Sequence, residues 1–102
     1  MFVYKMNLLK EFEKIGWTGY TLQRNRDETG KIPFGSSQVH YMRNGKMIGI
    51  TSLETACRLL NKQPGDLIEY IPDDRYIALK KSGYFEEKGI PTPPLEESTD
   101  GK

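Results

Sequence analysis

The sequence predicts a mainly α fold of five short helices within residues 5–72, and three observations predict it. Apolar residues recur at helical spacing in separate stretches: Leu8, Phe12 and Ile15; Val39 and Met42; Leu53, Ala56, Cys57 and Leu60. Glycines stand where the first two stretches should stop, at Gly16 and at Asn44-Gly45. Helix-start signals precede the others: Thr18, the capping-box phrase Thr51-Ser52-Leu53-Glu54, and Pro64. A chain of 102 residues has room for one domain and one core.

The first helix is expected over Met6 to Ile15, with Asn7 as cap or first-turn residue and Phe2-Val3-Tyr4 extended before it. Thr18 caps a second, roughly Gly19 to Arg26, with Leu22 inward and Trp17 stapling its entry. Asp27-Glu28-Thr29-Gly30 reads as a turn, and Pro33 forbids a helix through Lys31 and Ile32. The third helix starts at Gly35 or Ser36 and ends at Asn44-Gly45. Its outward residues, Ser36, Ser37, Gln38, His40, Tyr41 and Arg43, are all able to hydrogen-bond and none is acidic. The fourth helix starts from Thr51 and runs to about Leu60. The fifth starts at Gln63-Pro64-Gly65-Asp66, buries Leu67, Ile68 and Ile71, and ends at Pro72. Arg75 to Lys81 is either a short strand or a continuing arm. The expected domain is residues 1–82, and residues 83–102 form a Pro-rich acidic tail, read as extended and disordered.

Composition narrows the function classes. No apolar run approaches the roughly 18–20 residues of a membrane span, and the charged N-terminal stretch is unlike a secretory signal. Neither membrane association nor export is therefore expected, and the cytoplasm is the expected compartment. Cys57 is the lone cysteine and His40 the lone histidine, so neither an intrachain disulfide nor a metal site is expected. No P-loop, GxGxxG or HExxH phrase occurs, and Asp73-Asp74 and Glu86-Glu87 read as solvated pairs; no cofactor and no enzymatic activity are expected. The net charge of +1 is uneven: residues 1–82 carry 13 basic against 9 acidic side chains, and residues 83–102 carry 2 against 5. Gln23 to Lys46 is the basic stretch, with Arg24, Arg26, Lys31, Arg43 and Lys46 against Asp27 and Glu28. A basic surface beside an acidic tail suits a polyanion.

The order of the five helices, the segment SSQVHYMRNG, and the phrase Leu60-Asn61-Lys62-Gln63-Pro64-Gly65-Asp66-Leu67-Ile68-Glu69-Tyr70 resemble the Cro/CI-type (Xre-like) helix-turn-helix regulators, in their compact phage and Gram-positive branch. The resemblance covers roughly Leu8 to Pro72. It implies a lambda-repressor-like helix-turn-helix domain that binds double-stranded DNA and acts as a transcriptional regulator, expected to be a repressor. It makes the third helix the recognition helix, with Val39 and Met42 inward. Ser36, Ser37 and Tyr41 then face base edges, flanked by Gln38 and His40, while Arg43, Asn44 and Lys46 lie near phosphate. On the second helix, Gly19, Thr21, Gln23 and Arg24 fall near phosphate-contacting positions.

The chain departs from that family in the turn. Leu22 and Val39 are seventeen residues apart, against about ten in the family, and the extra residues are RDETGKIPFG. Arg24, Arg26 and Lys31 beside this insertion suit a small basic wing over a phosphate or the minor groove; Ile32 and Phe34 equally suit a structural loop that they fill. A homodimer on a palindromic site is expected, paired through Tyr70, Ile71, Tyr76, Ile77 and Leu79, because one such domain contacts little DNA. The alternative is a protein-binding module of a phage or mobile element, such as an antirepressor, antitoxin or host-defence inhibitor, with a protein partner met through the tail.

Overall fold

The computed structural model describes residues 1–93. The expected tail beyond Pro93 lies outside them. The element order is β1 (Phe2–Tyr4), α1 (Leu8–Lys14), α2 (Gly19–Leu22), α3 (Ser36–Asn44), α4 (Ile50–Leu60), α5 (Pro64–Leu67), β2 (Ile68–Tyr70), α6 (Asp73–Lys81) and α7 (Tyr84–Lys88). The fold is mainly α, as the periodicity predicts, and five of its helices lie in the expected order before Pro72.

Local chemistry accounts for most boundaries. Asn7 caps α1 by accepting from the Lys10 N–H at 3.2 Å. Leu8 and Phe12 are buried, whereas Ile15, expected on the same stripe, is the C-cap residue and exposed. Thr18 and Thr21 form a reciprocal box at the start of α2. That helix stops at Leu22 rather than Arg26. The Leu22 carbonyl, which Arg26 N–H would need, accepts instead from Phe34 N–H at 3.2 Å. Val39 and Met42 turn α3 inward, and Gly45 closes it with φ +80°.

The α4 start is two residues earlier than a capping box at Thr51 implies. Gly49 is the N-cap, and Thr51 lies inside the first turn rather than capping it. Gln38 supplies the reason: its Oε1 accepts from Gly49 N–H at 2.9 Å, so a side chain from α3 holds this entry. Leu53 and Ala56 are buried, and Cys57 and Leu60 are half-buried against the core.

The expected fifth helix is a single turn. After Leu67 the chain becomes extended, and β2 pairs antiparallel with β1 in the register Phe2↔Tyr70, Val3↔Glu69, Tyr4↔Ile68. β-branched and aromatic residues on both strands suit this pairing. Neither reading of Arg75–Lys81 holds: the segment is α6, opened by Asp73 and Asp74 and closed by Lys80 and Lys81, which complement its dipole. Nor is the start of the tail extended. α7 buries Phe85, Ile90 follows it into the core, and Tyr76 packs on Phe85 with ring centroids 5.6 Å apart.

One core joins these elements. Phe12 and Phe34 meet edge-to-face at 5.6 Å, with Leu8, Leu22, Val39, Met42 and Leu67 around them. No helix among the described residues is long and apolar enough to cross a membrane.

Candidate nucleic-acid interface

α3 presents one side to the core and another to solvent. Ser36, Ser37, His40, Arg43 and Asn44 are exposed; Ser37, His40 and Asn44 fall opposite Val39 and Met42 at helical spacing, with Ser36 and Arg43 on the flank beside Val39. The α3 N-cap is Gly35, which has no side chain to cap with, so the first-turn N–H groups lack that partner. Of the five residues expected to face bases, Ser36, Ser37 and His40 are outward. Gln38 is half-buried and spends its carbonyl oxygen on Gly49, and Tyr41 is half-buried against the core. Asn44 turns back along its own helix, its Nδ2 donating to the His40 carbonyl at 2.9 Å.

α2 lies close against α3. A Cβ on Gly19 would stand 2.5 Å from Arg43 Nη2 and 3.5 Å from a Val39 methyl. Glycine at this position leaves the space into which the Arg43 guanidinium folds. Gln23 Nε2 donates to the Gly19 carbonyl at 3.0 Å, and Thr21 Oγ1 accepts from Thr18 N–H at 2.8 Å. These two expected phosphate contacts therefore brace α2 itself. Arg24 is exposed and lies 4.7 Å over the Tyr20 ring.

The insertion is a folded hairpin tied to α4. Asp27 N–H donates to the Lys31 carbonyl at 2.8 Å, and Asp27 Oδ1 accepts from Thr29 N–H at 2.8 Å in an Asx turn. Asp27 Oδ2 accepts from Arg58 Nη2 at 2.9 Å, and Glu28 meets Arg58 Nη1 at 3.3 Å. The Asp27 carboxyl is consequently held well below its ordinary range, first by the Thr29 hydroxyl and then by Arg58. The same pairing pushes the Arg58 guanidinium further up. Phe34 is buried and plugs the hairpin into the core, whereas Ile32 is 45 % exposed. Of the two residues expected to fill a structural loop, Phe34 does so and Ile32 does not. The cations of the insertion remain outside: Arg26 donates to the Gly30 carbonyl at 2.8 Å, and both Arg26 and Lys31 are exposed.

Charge is sorted by this arrangement. Arg58 takes both carboxylates of the insertion. Arg24, Arg26, Lys31, Arg43 and Lys46 take part in none of the ion pairs among the described residues. The basic stretch read from the sequence is therefore more cationic in space than its net +3 implies. Sequence reasoning missed Arg58, and it missed Tyr4, whose hydroxyl donates to the Lys46 carbonyl at 2.6 Å and fixes the chain just past α3. Burial pushes that phenol up to about 12. The Asp-x-Thr-Gly phrase was a local signal for the Asx turn, but nothing local points to Arg58 or Tyr4.

The expected dimer surface is divided. Ile71 and Tyr76 are core residues, the Tyr76 hydroxyl donating to the Pro93 carbonyl at 3.1 Å, so neither is offered to a second copy. Tyr70 and Ile77 are exposed and Leu79 is half-buried. Phe2, which sequence reasoning left out, stacks edge-on against Tyr70 at 5.7 Å and is 54 % exposed. Among the described residues no cluster of three or more His, Cys, Asp or Glu is arranged to hold a metal ion.

No curated protein and no solved structure matches the chain. A family model described as the Cro/C1-type HTH DNA-binding domain matches residues 14–73, the span from the end of α1 through α2, α3, α4, α5 and β2 to the start of α6. That span is more than half of the sequence and contains the α2–α3 pair and its cationic surround, and the chain belongs to the Cro/C1-type helix-turn-helix DNA-binding domain family.

Proposed function

We propose that the protein is a sequence-specific regulator of transcription of the Xre type, a repressor from the compact phage and Gram-positive branch, acting in the cytoplasm on duplex DNA. The observation that carries this reading is the exposed side of α3. The helix is nine residues long, wholly without acids, and its first turn offers two serine hydroxyls beside N–H groups with no side-chain cap. Such a helix start pairs with phosphate or base edges in the major groove. Ser36, Ser37 and His40 are its readers, together with the solvent-facing part of Tyr41. Arg43, Lys46, Arg24, Arg26 and Lys31 contact the backbone, where exposed cations release counterions. Gln38 holds the entry to α4, Thr21 and Gln23 brace α2, and Asn44 braces the end of α3.

Binding of two copies to a palindrome supplies the affinity that one small domain lacks. Phe2, Tyr70 and Ile77 are exposed apolar groups suited to that pairing. Selection from a random duplex pool tests the proposal: an enriched motif with two inverted half-sites about one helical turn apart is expected. A pool with no enriched sequence at moderate salt would sink sequence-specific readout.

A further inference from the structure

Gly89 to Pro93 is a strap that returns from α7 to the C-terminal end of α3. Asn7 Nδ2 donates to the Gly89 carbonyl at 3.2 Å, and Ile90 enters the core. Thr92 lies so close against Gly45 that a Cβ there would overlap the Thr92 backbone. Lys80 Nζ bonds the Thr92 hydroxyl, and the Tyr76 hydroxyl holds the Pro93 carbonyl. The strap lies outside the family-matched residues. It fixes the point from which residues 94–102, PLEESTDGK, continue. That point is beside Gly45, between Arg43 and Lys46 in the chain and next to Lys80.

The charges on the two sides of this point are opposite. Residues 94–102 carry Glu96, Glu97 and Asp100 against Lys102, a net of −2, and residues 1–93 carry 14 basic and 11 acidic side chains, a net of +3. Arg43, Lys46 and Lys80 pair with no carboxylate among the described residues. Reach is sufficient: α3 is about 13 Å long at 1.5 Å per residue, and the three residues from Pro93 to Glu96 span about 10 Å when extended. A tether this short keeps the acids at an effective concentration on the order of millimolar.

We propose that the segment Pro94–Lys102 docks its carboxylates on the cationic rim of α3, around Arg43 and Lys46, and competes there with a bound polyanion. The competition rests on the DNA-binding reading of α3; the docking does not. Two measurements on the full chain separate them. In the first, amide NMR spectra of the protein are compared with those of E96Q/E97Q/D100N at low salt. Shifts confined to His40–Lys46 and the neighbourhood of Lys80, and lost at high salt, are expected. In the second, both proteins are titrated with duplex DNA. The triple variant should bind about three- to tenfold more tightly at low salt, the gap closing as salt rises. Unmoved α3 resonances would overturn the docking, whatever the DNA result. Moved resonances with equal duplex affinities would overturn the competition. Moved resonances with no duplex binding by either protein support the docking and remove the DNA reading.

Discussion

Asp27 and Arg58 are 31 residues apart in the chain and 2.9 Å apart in space, and their pairing fastens the insertion between α2 and α3 to the flank of α4. The Asp27 side chain is fully enclosed, while Arg58 is 40 % exposed. Removing the guanidinium strands a carboxylate that the hairpin has already withdrawn from water. Arg58→Ala should therefore lower the thermal midpoint more than Arg58→Lys, and Asp27→Asn combined with Arg58→Ala should cost less than the sum of the two singles. Additive losses would mean the pair is not coupled.

The same carboxyl makes stability depend on pH. Its folded value is depressed below the ordinary 3.8, so the folded protein binds fewer protons there than the unfolded chain. The stabilisation is complete above that ordinary value and is lost as pH falls below it toward the folded value. Urea midpoints measured from pH 5 down to pH 2 should fall, and Asp27→Asn should flatten that fall. A parallel decline in the variant would place the acid sensitivity elsewhere.

Phe34 and Ile32 stand two residues apart in the insertion with opposite roles. Phe34→Ala empties a site against Phe12 and should cost about 3–5 kcal/mol in chemical denaturation. Ile32→Ala removes an exposed side chain and should stay within about 0.5 kcal/mol. Equal costs would mean that the hairpin is not plugged into the core through Phe34.

Much of this fold was legible because its signals are local. The α3 inward pair and its Gly45 stop lie within one stretch of sequence, and so do the Asn7 and Thr18 caps. What was illegible depends on distant partners. Leu67, Ile68 and Ile71 suit a helix face as well as a turn followed by a strand, and the partner that decides is Phe2–Tyr4 at the other end of the chain. α2 is short because Phe34 captures the Leu22 carbonyl. Gln38 looks like any outward polar residue until Gly49 folds against it. The candidate site shows the same limit. Its exposed serines and cations were readable from helical spacing, but Arg58, which removes the acids from beside them, was not. Nor was the reason for Gly19, whose missing side chain makes room for an arginine twenty-four residues further on.

On the proposed reading, Ser37→Ala should weaken cognate duplex binding by roughly 1–3 kcal/mol while leaving a scrambled duplex unaffected at the same salt, because an exposed hydroxyl in the first turn of α3 meets a base edge. Tyr41→Ala should also relax base preference. It differs in additionally lowering the unfolding midpoint, since Tyr41 packs partly on the core. Equal losses on cognate and scrambled duplexes would remove both residues from the readers.

Arg26 and Lys31 extend outward from a hairpin whose own acids are occupied by Arg58, so they face solvent with their charge unopposed by those carboxylates. The hairpin joins α3 directly through Phe34-Gly35, which sets its cations beside the helix start that the proposal places against DNA. Flexible cations held there find phosphates and carry no base preference. The double variant Arg26→Ala/Lys31→Ala should then weaken binding to cognate and random duplexes by the same factor. Its plot of log affinity against log salt should be shallower by about one for each phosphate that the missing cations had neutralised. Arg26 also donates to the Gly30 carbonyl, so hairpin folding must be checked separately, by the chemical shift of the Thr29 amide bonded to Asp27. An intact hairpin with an unchanged salt slope would take the insertion out of the DNA interface and leave it a structural loop.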